Sequence, residues 1–564
     1  MNKNFVLLLL FAIILTSPVL AQKNSIKLLA VTDNNKQGIV VDLDLEIVDG
    51  TGRVFVETQP LSNIDTQISL RIAKTIACKT SEVYCLNKDF IYSIKSSSPV
   101  IAGPSAGAAI ALVTLASLEN QNLDKNTVIT GTINSGGVIG AVGGVKEKIK
   151  AAANSGLKTI LIPKGEANAS TLLELGDELN VTVIEVDDIE TAYEIFTHKA
   201  HSYIPVTVNP TYEAIMQKLN TNICERGVEL NNQLEKYTLT EDQKILHKRA
   251  INLTEQSQEL AADKKYYSSA SRCFGANVYF REILIQVQNL TAVERNALIA
   301  ETEDKINQIE QLSNGTEINT LGDLEATMIV SERLDDAQKN IEDTKEKNTT
   351  RDLAYGIERT YSAEAWRTFL GFPSKPIDAA KLEESCMLKL AEVQEVYNYV
   401  AIYLPGVLED SKEGIALAKE YLSKKDYVSC IFRAAKAQAE IDTAFGALYV
   451  EDSNIESLLG SKIAAAERAI AKQISQNTFP ILGYSYYEYA NTLKDTEKYN
   501  ALLYAEYGIE LSNLNVYFPQ KKPLDVQINK RALVTLIFGL IIGACVVLIR
   551  LQYKRNKITL KRRK

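Results

Sequence analysis

The chain has 564 residues, 46% hydrophobic and 23% charged, which suffices for about three or four domains with cores of their own and excludes a disordered polymer. Its net charge of −8 provides no broad basic footprint, so nucleic acid is excluded as the main ligand.

The first segment, MNKNFVLLLLFAIILTSPVLAQ, places Lys3 before an apolar run from Phe5 to Leu20, followed by the small residue Ala21. That is the pattern of a secretory signal peptide over 1–21; an uncleaved signal anchor is the alternative. From 25 to 203 the texture is mixed α/β. IKLLAVT, GIVVDLDLEIV and GRVFVET alternate as half-buried strands do, QISLRIAKTIA has a helical period, and FIYSIKSSSPVIA returns to strand. It leads into GPSAG and the apolar helix AAIALVTLASLENQNL. TVITGTI then reads as a strand, GVKEKIKAAANSG as a helix ended by Gly156, LKTILIPKG as a buried strand, and VTVIEVDDIETAYEIF as one more strand and helix.

From 204 to 530 the pattern is helical, possessing weak internal likenesses at KKYYSSASRCFGANVYF, KKDYVSCIFRAAKAQAE and EKYNALLYAEYGIELSN. Each turns at a Lys-rich spot and opens a second helix with Tyr267, Tyr427 or Tyr499, a bundle or irregular solenoid without a regular 34-residue repeat. The charged stretch 340–351 is read as a solvated helix end or as a linker between two helical domains. Ala532–Ile549 carries no charge and fits a hydrocarbon core of about 30 Å, so a transmembrane helix is expected over 531–552. The tail 553–564, with Lys554, Arg555, Lys557, Lys561, Arg562, Arg563 and Lys564 and no acid, is expected in the cytoplasm, and the bulk of the chain outside.

Six Asn-x-Ser/Thr sequons, at Asn168, Asn180, Asn252, Asn289, Asn314 and Asn348, agree weakly with an external location. Of seven cysteines, Cys545 falls in the expected span; the other six suit three disulfides in an oxidising compartment. Six allow fifteen connectivities; the pairings favoured here are Cys78 with Cys85, Cys224 with Cys273, and Cys386 with Cys430. No C-x-x-C supports zinc, and neither metal nor cofactor is expected.

Ser105 follows a Gly-Pro turn, Gly103 and Pro104, and opens an apolar helix, so the backbone N–H groups of Ser105 and Ala106 are placed to receive a developing oxyanion. A serine capping a core helix has the same appearance. A serine nucleophile requires a base, and the three histidines, His198, His201 and His247, all lie beyond the glycine-rich region. A Ser-His-Asp triad is therefore disfavoured. A lysine serves if it is withdrawn from water without a carboxylate partner. Lys146, after fifteen small or apolar positions and the turn glycines Gly143 and Gly144, is the expected base; an exposed lysine at a helix start is the plain alternative. GGVIGAVGG lacks the spacing of a dinucleotide-binding loop.

GPSAGAAIALVTLASL followed by TGTINSGGVIGAVGGVKEKIKAAANSGLKTILIP resembles the proteolytic domain of Lon-type proteases, in which the Ser of P-S-A-G pairs with a Lys of V-G-G-x-K-E-K. The resemblance covers roughly Lys27 to Thr197 and is nearest to archaeal, membrane-anchored Lon-like serine proteases that lack an ATPase. It implies Ser105 as nucleophile, Lys146 as base, and Thr130 as the group that orients the amine. Ala102 stands where many members carry an acid, and no G-x-x-x-x-G-K-[ST] occurs, so no ATP is expected.

The expectation is thus an α+β Lon-like protease domain, an all-α helical region and one C-terminal transmembrane helix. Its function would be that of an ATP-independent serine endopeptidase acting on unfolded or flexible polypeptides outside the cell. Self-association is left open, since such domains often form hexamers. The alternatives are a fold that cuts only itself, and a catalytically idle helical envelope scaffold.

Overall fold

The computed structural model describes residues 22–32, 37–59, 64–81, 83–95, 104–166, 169–199, 205–448, 450, 454–518 and 530–561. The expected signal peptide 1–21 lies outside the described residues, as do Ala102, Gly103, Asn168 and His201.

The first part is built on β1 (Gln22–Val31), β2 (Gly38–Asp49), β3 (Val54–Gln59), α1 (Ile64–Thr80), β4 (Lys88–Lys95), α2 (Gly107–Leu118), β5 (Thr127–Ile129), β6 (Thr132–Ile133), β7 (Ile139–Gly140), α3 (Val145–Asn154), β8 (Thr159–Pro163), α4 (Ala169–Glu178), β9 (Thr182–Val186) and α5 (Ile189–Thr197). Seven strands form one mixed sheet in the order β3-β4-β2-β1-β5-β8-β9, and β6 and β7 form a separate antiparallel ribbon. The β1–β2 hairpin is antiparallel from Gln22↔Ile47 to Val31↔Gly38, while β1, β5, β8 and β9 run parallel.

Strand alternation explains the faces. In β2 Val41, Leu43 and Leu45 point into the core, and in β4 so do Phe90, Tyr92 and Ile94. In β8 the consecutive Ile160, Leu161 and Ile162 are all buried, as befits a parallel strand covered on both faces. Every residue of α2 is buried. A helix apolar all round belongs inside, and α2 packs between α1 and β1.

The second part consists of α6 (Pro210–Leu234), α7 (Glu241–Ala262), α8 (Tyr266–Gln288), α9 (Ala292–Asn314), α10 (Leu321–Lys347), α11 (Thr350–Trp366), α12 (Leu382–Tyr403), α13 (Glu409–Ser423), α14 (Tyr427–Ala447), α15 (Ile455–Ser475), α16 (Ile481–Leu493) and α17 (Lys498–Ser512). Two of the Lys-rich turns close their hairpins through a left-handed residue, Lys264 (φ +62°) between α7 and α8 and Lys425 (φ +64°) between α13 and α14. The stretch 340–351 is not a linker. Helix α10 runs to Lys347, left-handed Asn348 ends it, and α11 starts at Thr350, with Ile341 and Leu353 buried in the same core. The helices of 205–518 and the sheet domain form one compact unit. Disulfides join Cys78 to Cys85, Cys224 to Cys273 and Cys386 to Cys430.

The segment Pro519–Lys564 is a separate unit, in which Lys530–Lys561 form α18. Among the described residues no helix is long and apolar enough to cross a membrane. The expected span 531–552 falls on α18, and the side chains of its first seven residues, 531–537, lie outside the described residues.

Candidate active site

Ser105 occupies a single 3-10 turn, Pro104–Ala106, that feeds directly into α2, and its side chain is half-buried. The first turn of α2 holds no acidic residue, and no side chain caps its N-cap residue Ala106. This turn is sewn to the ribbon. Gly131 N–H donates to Ser105 O at 3.0 Å, and Ala108 N–H donates to Gly131 O at 3.1 Å. The last glycine of P-S-A-G has a steric reason: a Cβ on Gly107 would lie 2.9 Å from Ile133 Cγ2 and 3.0 Å from its backbone nitrogen, so only glycine lets the helix mouth reach β6.

Helix α3 supplies the amine. Its buried residues are Val145, Lys148, Ile149 and Ala152, the i, i+3, i+4, i+7 stripe of a helix lying on a sheet. Lys148 is 1% exposed. The expected base, Lys146, is exposed; two residues along a helix amount to a rotation of about 200°, so the two side chains take opposite faces. The surroundings expected of the base, withdrawn from water, are therefore those of Lys148 and not of Lys146. The stripe was the available signal, because Lys148 continues the apolar row of Val145, Ile149 and Ala152 whereas Lys146 interrupts nothing.

Lys148 Nζ donates to Thr130 Oγ1 at 3.1 Å, and Thr130 Oγ1 donates to Ser105 O at 3.4 Å. Thr130, buried at the end of β5, is held by its own N–H on Leu161 O at 3.1 Å. The threonine thus meets the lysine amine, as the resemblance implies, but the amine is that of Lys148. Burial brings the Lys148 pKa down to about 8, the charge of Glu166 opposing the fall. Glu166 is pushed up by its own burial, and its carboxylate accepts the Val142 N–H at 2.9 Å.

Gly144, left-handed at φ +69°, is the N-cap of α3, and a Cβ there would lie 2.7 Å from Val31 Cγ1. Gly143 is exposed with open space around it. Gly38 has no room either, since its Cβ would fall 2.2 Å from Glu147 O, so β2 leans on the first turn of α3.

The other bases lie elsewhere. His198 is exposed at the C-cap of α5, whose Phe196 O accepts the N–H of Asp124 ahead of β5, whereas Thr130 follows that strand. His247 is in the helical region, bound to Asn231 Oδ1 at 2.7 Å. Among the described residues no group of three His, Cys, Asp or Glu is placed to hold a metal ion.

Residues 24–199 match the family model of the Lon protease (S16) C-terminal proteolytic domain. The chain is 34% identical over 147 residues to the Lon protease of Roseiflexus castenholzii, covering 25% of this chain and 18% of that protein. It is 28% identical over 165 residues to that of Lachnoclostridium phytofermentans, covering 28% and 20%, and 32% identical over 133 residues to that of Buchnera aphidicola subsp. Acyrthosiphon pisum, covering 22% and 17%. The chain thus spans about a fifth of the length of the curated relatives it matches. The similarity supports a serine-type peptidase domain of the Lon type over residues 24–199, and the match ends before the helical region.

Proposed function

We propose that this protein is an ATP-independent, membrane-anchored serine endopeptidase that cuts unfolded or flexible extracytoplasmic polypeptides, with Ser105 as nucleophile and Lys148 as general base. The observation that carries this reading is the Lys148 amine, buried, hydrogen-bonded to Thr130 and, among the described residues, in ion-pair contact with no carboxylate. Such an amine loses its proton close to neutrality and accepts another from a serine hydroxyl.

Ser105 Oγ attacks the scissile carbonyl carbon while its proton passes to Lys148 Nζ. The resulting ammonium protonates the leaving amine as the C–N bond breaks. Water, deprotonated by the same amine, then hydrolyses the acyl-serine ester. The N–H groups at the mouth of α2, where the helix dipole is positive, suit the oxyanion that forms in each half of the reaction.

Absence of any G-x-x-x-x-G-K-[ST] sequence supports ATP independence, and with no motor in the chain the substrates are polypeptides already unfolded. Three supports favour an extracytoplasmic bulk: the signal-like 1–21, the six paired cysteines, and the uncharged Ala532–Ile549, about 27 Å long as a helix, before a basic tail.

The test is hydrolysis of an unstructured protein such as casein. Ser105→Ala and Lys148→Met should each lower kcat by about a thousandfold or more with the fold intact, and Lys146→Ala should stay within about twofold of wild type. Activity lost in Lys146→Ala and kept in Lys148→Met would return the base to Lys146.

A further inference from the structure

Besides α12 and α17, the helical region touches the proteolytic domain through one face of α15, where Lys462, Ala465, Arg468 and Lys472 recur every three or four residues. Lys472 Nζ donates to the carbonyls of Lys79 and Thr80, both at 2.6 Å, and of Ser81 at 3.0 Å, closing the C-terminal end of α1. Arg468 pairs with Asp188 at 3.2 Å and Glu190 at 3.5 Å at the start of α5. The remaining two residues meet the turn 134–138, which joins β6 to β7.

That turn is tightly specified. Gly136 and Gly137 are both left-handed, at φ +68° and +75°, and a Cβ on Gly136 would lie 2.7 Å from Ala465 Cβ. Lys462 Nζ donates to Ser135 O at 3.0 Å and to Ser135 Oγ at 2.6 Å, and pairs with Glu506 Oε1 at 2.6 Å. Ser135 Oγ in turn donates to Glu506 Oε2 at 2.6 Å. Both charged side chains are sealed from water, Lys462 at 0% and Glu506 at 1% exposure, and they come from two different helices, α15 and α17.

A buried ion pair is a poor adhesive, because desolvation cancels much of its attraction and an apolar contact of equal volume does as well. What it supplies is geometry: the ammonium and the carboxylate fix the acceptor and donor sides of one serine hydroxyl, and the ammonium also holds that serine's carbonyl. Ser135 lies five residues beyond Thr130 along the chain that runs through Gly131 and β6. Each residue between them is buried, and Gly131 holds the Ser105 carbonyl. We infer that Lys462 and Glu506 are positioning residues of the proteolytic site, holding the 134–138 turn and, through β6, the Thr130 hydroxyl that carries the Lys148 amine. The helical region is then part of the active site rather than a detachable support. This inference rests on the peptidase reading above.

The experiment compares full-length wild type with Lys462→Met/Glu506→Gln, which removes both members of the ion pair together, and with Ser135→Ala, which removes only the hydroxyl. Three quantities are read: kcat and KM on an unstructured peptide, the pH of the rate limb, and amide hydrogen exchange over 132–140. The double variant should lose at least tenfold in kcat with KM within about threefold, its limb should shift, and exchange over 132–140 should quicken at least tenfold. Ser135→Ala should lose threefold to tenfold in kcat and show the same exchange change, which keeps the test decisive if the double variant does not fold. Folded variants with wild-type kcat, limb and exchange overturn the inference. If wild type cleaves nothing, the peptidase reading fails instead, and unchanged exchange in Ser135→Ala still refutes the positioning role.

Discussion

Lys148 in the proteolytic domain is buried and Lys79 at the junction with the helical region is half-buried, yet the surroundings set them to opposite tasks. Burial pulls both amines down. For Lys148 nothing but the partial opposition of Glu166 counters it, and the amine comes to about 8. For Lys79 the charges and hydrogen bonds of Glu392, at 2.8 Å, and Glu510, at 3.1 Å, more than reverse the fall, and the amine is held well above its ordinary value. The same cluster holds Glu392 well below the carboxylate range: its burial pushes it up, but Lys389 and Lys79 outweigh that. A buried lysine is therefore ready for proton transfer only where no acid pairs with it directly, and the lack, among the described residues, of a carboxylate in ion-pair contact with Lys148 matters to the site as much as the lysine itself.

The largest expected effect that separates these two lysines is on stability. Lys79→Met leaves Glu392 and Glu510 with Lys389 as their one remaining ion-pair cation among the described residues and should cost about 1–3 kcal/mol at pH 7 by denaturant unfolding. Lys148→Met should do the reverse. The folded amine releases its proton near 8 and the unfolded one near 10.5, so between those values the unfolded chain carries the extra proton and wild-type stability rises with pH. Below about pH 8 wild type bears the full penalty, so the methionine variant should be more stable than wild type by about 1–3 kcal/mol at pH 7, with the gain vanishing above pH 10.5. If both substitutions destabilise equally at pH 7, the contrast between the two lysines is lost.

Next in size is the rate profile. Because only the neutral amine accepts the serine proton, kcat/KM should climb about tenfold per pH unit below a limb near 8 and level off above it. A flat profile from pH 6 to 9 would remove Lys148 from the mechanism. The smallest expected effect sharpens the comparison. The Glu166 charge raises the Lys148 pKa, so Glu166→Gln should move the limb toward acid by a few tenths of a unit up to about one. A shift toward alkali would mean that the carboxylate does not act on the amine through its charge.

Much of this protein is readable in its residues. Alternation in GIVVDLDLEIVD and FIYSIK marks strands because one face of each meets the core, and the unbroken apolar run of AAIALVTLASL marks a helix with no solvent face. P-S-A-G carries its serine and the glycine that admits β6. The choice between Lys146 and Lys148 was legible as well, in the stripe Val145, Ile149, Ala152, but only by asking which face of α3 lies on the sheet rather than which lysine stands nearer the glycines. Of the two readings of the charged stretch 340–351, the solvated helix end holds and the linker does not: α10 ends there at Lys347, and Ile341 and Leu353, either side of the turn, share one core.

By itself, then, the sequence determined the order of strands and helices, the serine at the mouth of α2 and the lysine-bearing helix α3, since these follow from period-2 and period-3.6 patterns and from local chain sterics. Only the tertiary structure decided that Thr130 meets Lys148, that among the described residues no acid pairs with that amine, and that Lys462 and Glu506 close on Ser135 from 327 and 371 residues away. Distances across the fold set how strongly an amine is desolvated and which charges reach it, and no local pattern encodes those distances.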